Sequence, residues 1–232
     1  MMSSSHKRTA LVVLVGGDEF TSKSDGLDRE LLRLAAGTPP NVAILPTAAE
    51  PENSQLAAAH GIDHFSRLGA DAYAVMVLDQ RSANDQGLVD ELRKANLIYL
   101  TGGSPTHLLA SLKDSLAWSR IAHLVRSGVM IAGSSAGAMV LCEHITFGGQ
   151  RLEGLALIPG VAVLPHFERS PDERLQELRA GAPEGVTLLG IDGATGCLQQ
   201  GNEWRVAGVG RVHVITRAGI AVIASGETFN LR

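Results

Sequence analysis

The chain has 232 residues, of which 45% are hydrophobic, 19% charged and only 4% aromatic. A chain of this length can bury roughly 70% or more of its unfolded surface, so it folds without needing disulfides or a metal. A net charge of −4, a pI near 6.1 and few aromatic side chains speak against nucleic-acid and anionic-membrane partners. Two cysteines, Cys142 and Cys197, give at most one bridge, so a disulfide framework is excluded and a reducing, cytoplasmic setting is expected.

In chain order, Met1 to about Arg8 read as a disordered leader, and 9–232 as a single domain. The apolar run Ala10–Val15 is too short to span a membrane. It opens a series of unbroken apolar stretches at Asn41–Leu45, Tyr73–Val77, Leu97–Leu100 and Val129–Ala132, the pattern of strands covered on both faces. Helical periodicity fills the intervals at Leu27–Leu34, Gln55–Leu68, Leu88–Lys94, Pro105–Leu112 and Ala117–Arg126. Such alternation predicts an α/β fold with a doubly wound, mainly parallel sheet flanked by helices. After Gly185, short runs separated by Asp192-Gly193, Gly201-Asn202 and Ala218-Gly219 predict C-terminal β-hairpins at one edge of the sheet. Apolar helix faces such as Leu109–Leu112 suit a core or a homodimer interface equally.

Chemistry in such folds sits beyond the carboxyl ends of the strands. The loops to read there are Gly16-Gly17-Asp18-Glu19, Pro46-Thr47-Ala48, Thr101-Gly102-Gly103-Ser104 and Gly133-Ser134-Ser135-Ala136-Gly137. The last is a G-x-S-x-G pentapeptide between an apolar run and a helical stretch, the setting of a nucleophile elbow with Ser135 at its apex. The N–H of Ala136 could then stabilise an oxyanion. A bare pentapeptide also occurs as an ordinary small-residue turn.

A serine nucleophile needs a base. Of eight histidines, His6 is in the leader, His60, His64 and His123 are in amphipathic helices, and His213 is in a late hairpin. His107 is in the helical stretch after Gly102-Gly103, and His144 shortly follows the Ser135 helix. Only His166 follows an apolar run, Val161–Leu164, at what would be a strand end, ahead of the helical stretch Pro171–Leu178. For the carboxylate that orients it, Glu143, Glu153, Glu168 and Asp192 compete, and spacing does not choose among them. The glycine turn at Gly102-Gly103 could present a second oxyanion N–H. It lacks the Lys-Ser or Lys-Thr of a P-loop, and neither H-E-x-x-H nor C-x-x-C occurs, so no cofactor or metal is expected.

Six stretches together resemble a family: Leu14–Phe20, Ile44–Ala48, Leu100–Gly103, Ala132–Ala138, Pro165–Phe167 and Gly190–Asp192. The chain is similar to the serine peptidases that include cyanophycinase and aspartyl dipeptidase (dipeptidase E), which share the class I glutamine amidotransferase-like fold. The resemblance implies Ser135 as nucleophile, His166 as general base, and Gly103 and Ala136 as oxyanion donors. Cyanophycinase-like members carry a Glu 18 residues after the serine, which here is Glu153; Glu143 and Asp192 are the alternatives. Dipeptidase E uses an Asp at a shorter spacing, where this chain has none. Two departures bear on substrate: Ser104-Pro105-Thr106 replaces an Asn-Thr-Phe run, and Arg169 and Arg174 stand among Glu168, Asp172 and Glu173 where cyanophycinase has clustered arginines. The expected activity is hydrolysis of small acidic or isoaspartyl-type peptides through a Ser-His-Glu triad and an acyl-enzyme. Ser104, Arg169 and Arg174 are the candidate substrate contacts. A silent ligand-binding module, or an esterase or acyltransferase on the same triad, is the rival reading.

Overall fold

A computed structural model describes residues 11–148, 150–170 and 172–231, with the side chains of 172–174 excepted. The expected leader therefore lies outside the described residues. Five strands open the chain: β1 (Leu11–Val15), β2 (Asn41–Leu45), β3 (Asp71–Ala74), β4 (Leu97–Leu100) and β5 (Met130–Ser134). All five run parallel, in the spatial order β1-β5-β4-β2-β3. Helices α1 (Asp25–Leu34), α2 (Ser54–Arg67), α3 (Gln86–Glu91), α4 (Pro105–Leu112) and α5 (Leu116–Arg126) connect them. β1 and β4 are apolar throughout, and β2 after Asn41, because both faces are covered. On β1, Val12 and Leu14 enter one core while Val13 and Val15 enter the other; on β4, Ile98 and Leu100 part from Leu97 and Tyr99 in the same way. The second core is closed by Leu27, Leu31 and Leu32 of α1 and Phe65 of α2. Polar caps set the helix starts: Asn53, Asp85, Ser104 and Ser115 each accept a hydrogen bond from the backbone N–H three residues on.

After α6 (Ala136–Leu141) the chain builds β6 (Cys142–Phe147), β7 (Gln150–Glu153), β8 (Ile158–Leu164), α7 (Asp172–Gly181) and β9 (Thr187–Ile191). Then come β10 (Thr195–Gln200), β11 (Glu203–Gly208), β12 (Arg211–Ile215), β13 (Ile220–Ala224) and β14 (Thr228–Asn230). The C-terminal hairpins are present, but they divide. β10, β11 and β14 extend the main sheet antiparallel beyond β1, making it eight-stranded. β12 and β13 join β9, β8, β6 and β7 in a second, six-stranded sheet. Phe147 and Gln150 are the last pair of the β6–β7 hairpin. Among the described residues no helix is long and apolar enough to cross a membrane.

Candidate active site

The end of β1 is the hub on which the site is assembled. Three successive carbonyls accept hydrogen bonds from three other strand ends. Val15 receives the N–H of Ser135 (2.9 Å), Gly16 that of His166 (2.8 Å) and Gly17 that of Ala194 (2.8 Å). Residues far apart in sequence are thereby fixed at one rim of the main sheet.

Ser135 stands between β5 and α6 with φ 48° and ψ −107°, a strained conformation for a residue with a side chain. The glycines of the pentapeptide explain how it is held. A Cβ on Gly133 would lie 2.5 Å from the Gly137 carbonyl carbon, and one on Gly137 would lie 2.5 Å from the Leu100 oxygen. Strand, turn and helix therefore touch backbone to backbone, and the hydroxyl at the apex is presented outward. Beneath the elbow, Glu19 accepts hydrogen bonds from the Gly102 N–H and the Ser134 hydroxyl, both at 2.7 Å. One carboxylate so ties the ends of β1, β4 and β5 together. Ser134 also hydrogen-bonds Tyr99, whose phenol is held well above its ordinary pKa by burial and by the nearby Asp28 and Glu19 carboxylates.

His166 follows β8 in a left-handed conformation, φ 51° and ψ 42°. Its ring lies across Gly17, where a Cβ would meet Cε1 at 2.1 Å and Nε2 at 2.4 Å. Gly103, Ser135, Ala136 and His166 line one cleft of about 270 Å³. Neither His107 nor His144 is among the described residues of that lining. His107 bonds the Leu78 carbonyl at 2.7 Å, and His144 sits on the β6–β7 hairpin beside Glu143.

The carboxylate beside the imidazole is Asp18, with Oδ1 3.8 Å from His166 Nδ1. That is an ion-pair separation, longer than a hydrogen bond, and Nδ1 is buried without a hydrogen-bond partner among the described residues. Glu153 is not brought there. Its carboxylate is 75% exposed on β7 and pairs with Lys113 at 3.5 Å, because the hairpin that carries it turns its edge to solvent. Glu143 accepts from the Gly160 N–H (2.7 Å) and Asp192 from the Arg211 N–H (2.9 Å). Glu168 accepts from the Gly193 N–H at 2.8 Å. A Cβ on Gly193 would lie 2.7 Å from Asp18 Oδ2, so the missing side chain leaves the space that Asp18 occupies.

The candidate substrate contacts fare differently. Arg169 is engaged, bridging Asp18 (3.3 Å) and Glu168 (3.2 Å). Ser104 caps α4, its hydroxyl accepting from the His107 N–H at 3.2 Å. The side chain of Arg174 lies outside the described residues. Asp18 and Glu19 were open to recognition: both follow directly on the glycines that end β1, at the rim where such folds place their chemistry.

Comparison with known proteins shows the family. The model of "Peptidase family S51" matches residues 11–206. Cyanophycinase from Geminocystis herdmanii is 30% identical over 219 residues, covering 88% of this chain and 79% of its own length. Cyanophycinase from a Nostoc species is also 30% identical, covering 90% and 74%. Among solved structures, a peptidase from an acI-B1 actinobacterium superposes with a TM-score of 0.86 at 29% identity, covering 97% of this chain and 98% of that one. A putative peptidase E protein from Listeria monocytogenes, 20% identical with a TM-score of 0.64 and covering 86% and 98%, shares the fold. With the elbow serine in place and the family matched over most of its length, the chain belongs to peptidase family S51 and is a serine-type peptidase.

Proposed function

We propose that the chain hydrolyses short peptides through Ser135 as nucleophile and His166 as general base, with Asp18 in place of Glu153 as the group that orients and charge-stabilises the imidazole. The observation that carries this reading is the common cleft of Ser135, His166, Gly103 and Ala136, with Asp18 at the Nδ1 edge of the ring. In the proposed reaction Nε2 takes the hydroxyl proton as Oγ adds to the scissile carbonyl carbon. The oxyanion rests on the Gly103 and Ala136 N–H groups. Its collapse breaks the C–N bond, and the imidazolium returns the proton to the departing amine. Water, deprotonated by His166, then adds to the acyl-enzyme. The carboxylic acid is released and Oγ regains its proton. Arg169, paired with Asp18 and Glu168, serves this reading better as the counter-ion that keeps two carboxylates side by side than as a grip on an acidic substrate.

Labelling with a fluorophosphonate, followed by peptide hydrolysis, tests the assignment. Ser135→Ala should take up no label. Asp18→Asn should lose turnover by about 10²–10⁴-fold, since an amide neither fixes the tautomer nor stabilises the cation. Glu153→Gln should stay near wild type. The opposite pattern, a crippled Glu153→Gln beside an active Asp18→Asn, would return the role to Glu153.

A further inference from the structure

We infer that the cleft beside Ser135 takes a substrate whose residue at the scissile bond carries a large apolar side chain rather than a carboxylate. This rests on the serine–histidine reading above and names the substrate class of that same site. Beyond the reacting groups, the walls of the cleft are Pro105, Met139, Phe147, Leu164, Pro165 and Phe167, with Thr146 and Ser170 supplying the polar contribution. Among the described residues of that lining there is no lysine or arginine. A substrate carboxylate seated against these described walls would give up water for hydrocarbon with no cation among them in exchange, which is strongly unfavourable.

The charge behind the cleft points the same way. Asp18 stands at the Nδ1 edge of His166, and Arg169 beside it is already shared with Glu168. Among the described residues the two carboxylates outnumber the guanidinium between them, and that excess negative charge repels a further carboxylate arriving from the cleft. Phe147 completes the argument. It ends β6 next to the hairpin turn and is 47% exposed although it borders the cleft. An apolar substrate side chain would remove that ring face from water together with its own surface. The volume, about 270 Å³, suits one side chain of leucine to phenylalanine size and not an extended polymer branch.

The test uses the full chain and dipeptides: Leu-Ala, Phe-Ala and Ala-Leu against Asp-Ala, β-Asp-Ala and Ala-Ala. Leucyl or phenylalanyl peptides should exceed Ala-Ala in kcat/KM by about 10–200-fold, the range that a hydrophobic pocket supplies. The aspartyl members should fall below Ala-Ala. Comparison of Leu-Ala with Ala-Leu identifies the side of the scissile bond that the pocket serves. Phe147→Ala, a change at an exposed position, should shrink the leucyl-to-alanyl ratio through KM. Calorimetric binding of the same peptides to Ser135→Ala provides an arm independent of turnover. Stronger binding or faster cleavage of the aspartyl peptides overturns the inference, as does an unchanged ratio in Phe147→Ala or the absence of leucyl binding. Selective leucyl binding by Ser135→Ala without cleavage by wild type would uphold the pocket and count against the serine–histidine reading instead.

Discussion

Substituting Gly17 by alanine probes the position of the imidazole without touching any group that reacts. The added methyl would lie 2.1 Å from His166 Cε1, 2.4 Å from Nε2 and 2.7 Å from Nδ1. Ordinary carbon contacts begin near 3.5 Å, so the ring has to retreat by more than an ångström. Its own backbone N–H is tied to Gly16, which leaves rotation of the side chain as the main escape, away from its present place in the cleft that Ser135 also lines. A misplacement of about 1 Å can cost on the order of 10²-fold in rate. Gly17 also has φ +127°, and holding alanine there costs about 1–3 kcal/mol. For a chain of this size that corresponds to a fall of about 2–12 °C in Tm. We therefore expect a folded, less stable Gly17→Ala protein whose kcat/KM drops by about 10²-fold and whose fluorophosphonate labelling slows in parallel. Gly219→Ala is the control, since nothing lies within 4 Å of the methyl it would add. Wild-type turnover from Gly17→Ala, measured beside a normal circular dichroism spectrum, would show that the imidazole does not work from where it lies.

Removing the Glu19 carboxylate with alanine takes away the acceptor that the Gly102 N–H and the Ser134 hydroxyl share, at about 1–3 kcal/mol for a group left without a partner. Thermal scans should show Glu19→Ala well below Glu19→Gln, which keeps an acceptor for one of them; equal melting points would mean that the brace is dispensable. Cys142 and Cys197 are buried free thiols, and burial holds both well above the ordinary thiol pKa. An aromatic disulfide reagent should therefore label them only as fast as the protein unfolds, and prompt modification of the native protein would contradict their burial. Burial, with a smaller contribution from the Glu91 carboxylate, pushes the Tyr73 phenol up from 10.0 to about 12. The folded state thus keeps a proton that the unfolded chain releases. The resulting stability is complete below about pH 10 and is lost as pH rises toward about 12. Denaturant titrations of Tyr73→Phe across that window should show a shallower decline than wild type, and parallel curves would place the alkaline loss elsewhere.

Much of the molecule was legible in the sequence because it is set by local rules. Leu11–Val15 and Leu97–Leu100 are apolar at every position, and Asn41–Leu45 at every position after Asn41, because each strand is covered on both faces, and that pattern is visible without knowing the partners. The elbow is similarly local. Gly133 and Gly137 are spaced so that strand and helix can touch, and this alone forces Ser135 into its strained turn. The position of His166 at a strand end also follows from its apolar run. Contacts between distant segments were not legible. The hairpins after Gly185 look alike in sequence, and only tertiary pairing sends β10 and β11 to the main sheet and β12 and β13 to a second one. The carboxylate beside the imidazole is the clearest case. Glu153, implied by the resemblance to cyanophycinase-like members, lies on a hairpin edge in water beside Lys113, whereas Asp18 is carried to His166 by the end of β1. Arg169 and Asp18 pair across 151 residues of chain. Acidic side chains occur at the ends of many loops, and periodicity reports which face of an element is buried, not which two loops meet. That meeting is decided by strand order and by the carbonyls of Val15, Gly16 and Gly17, which hold three other strand ends in register.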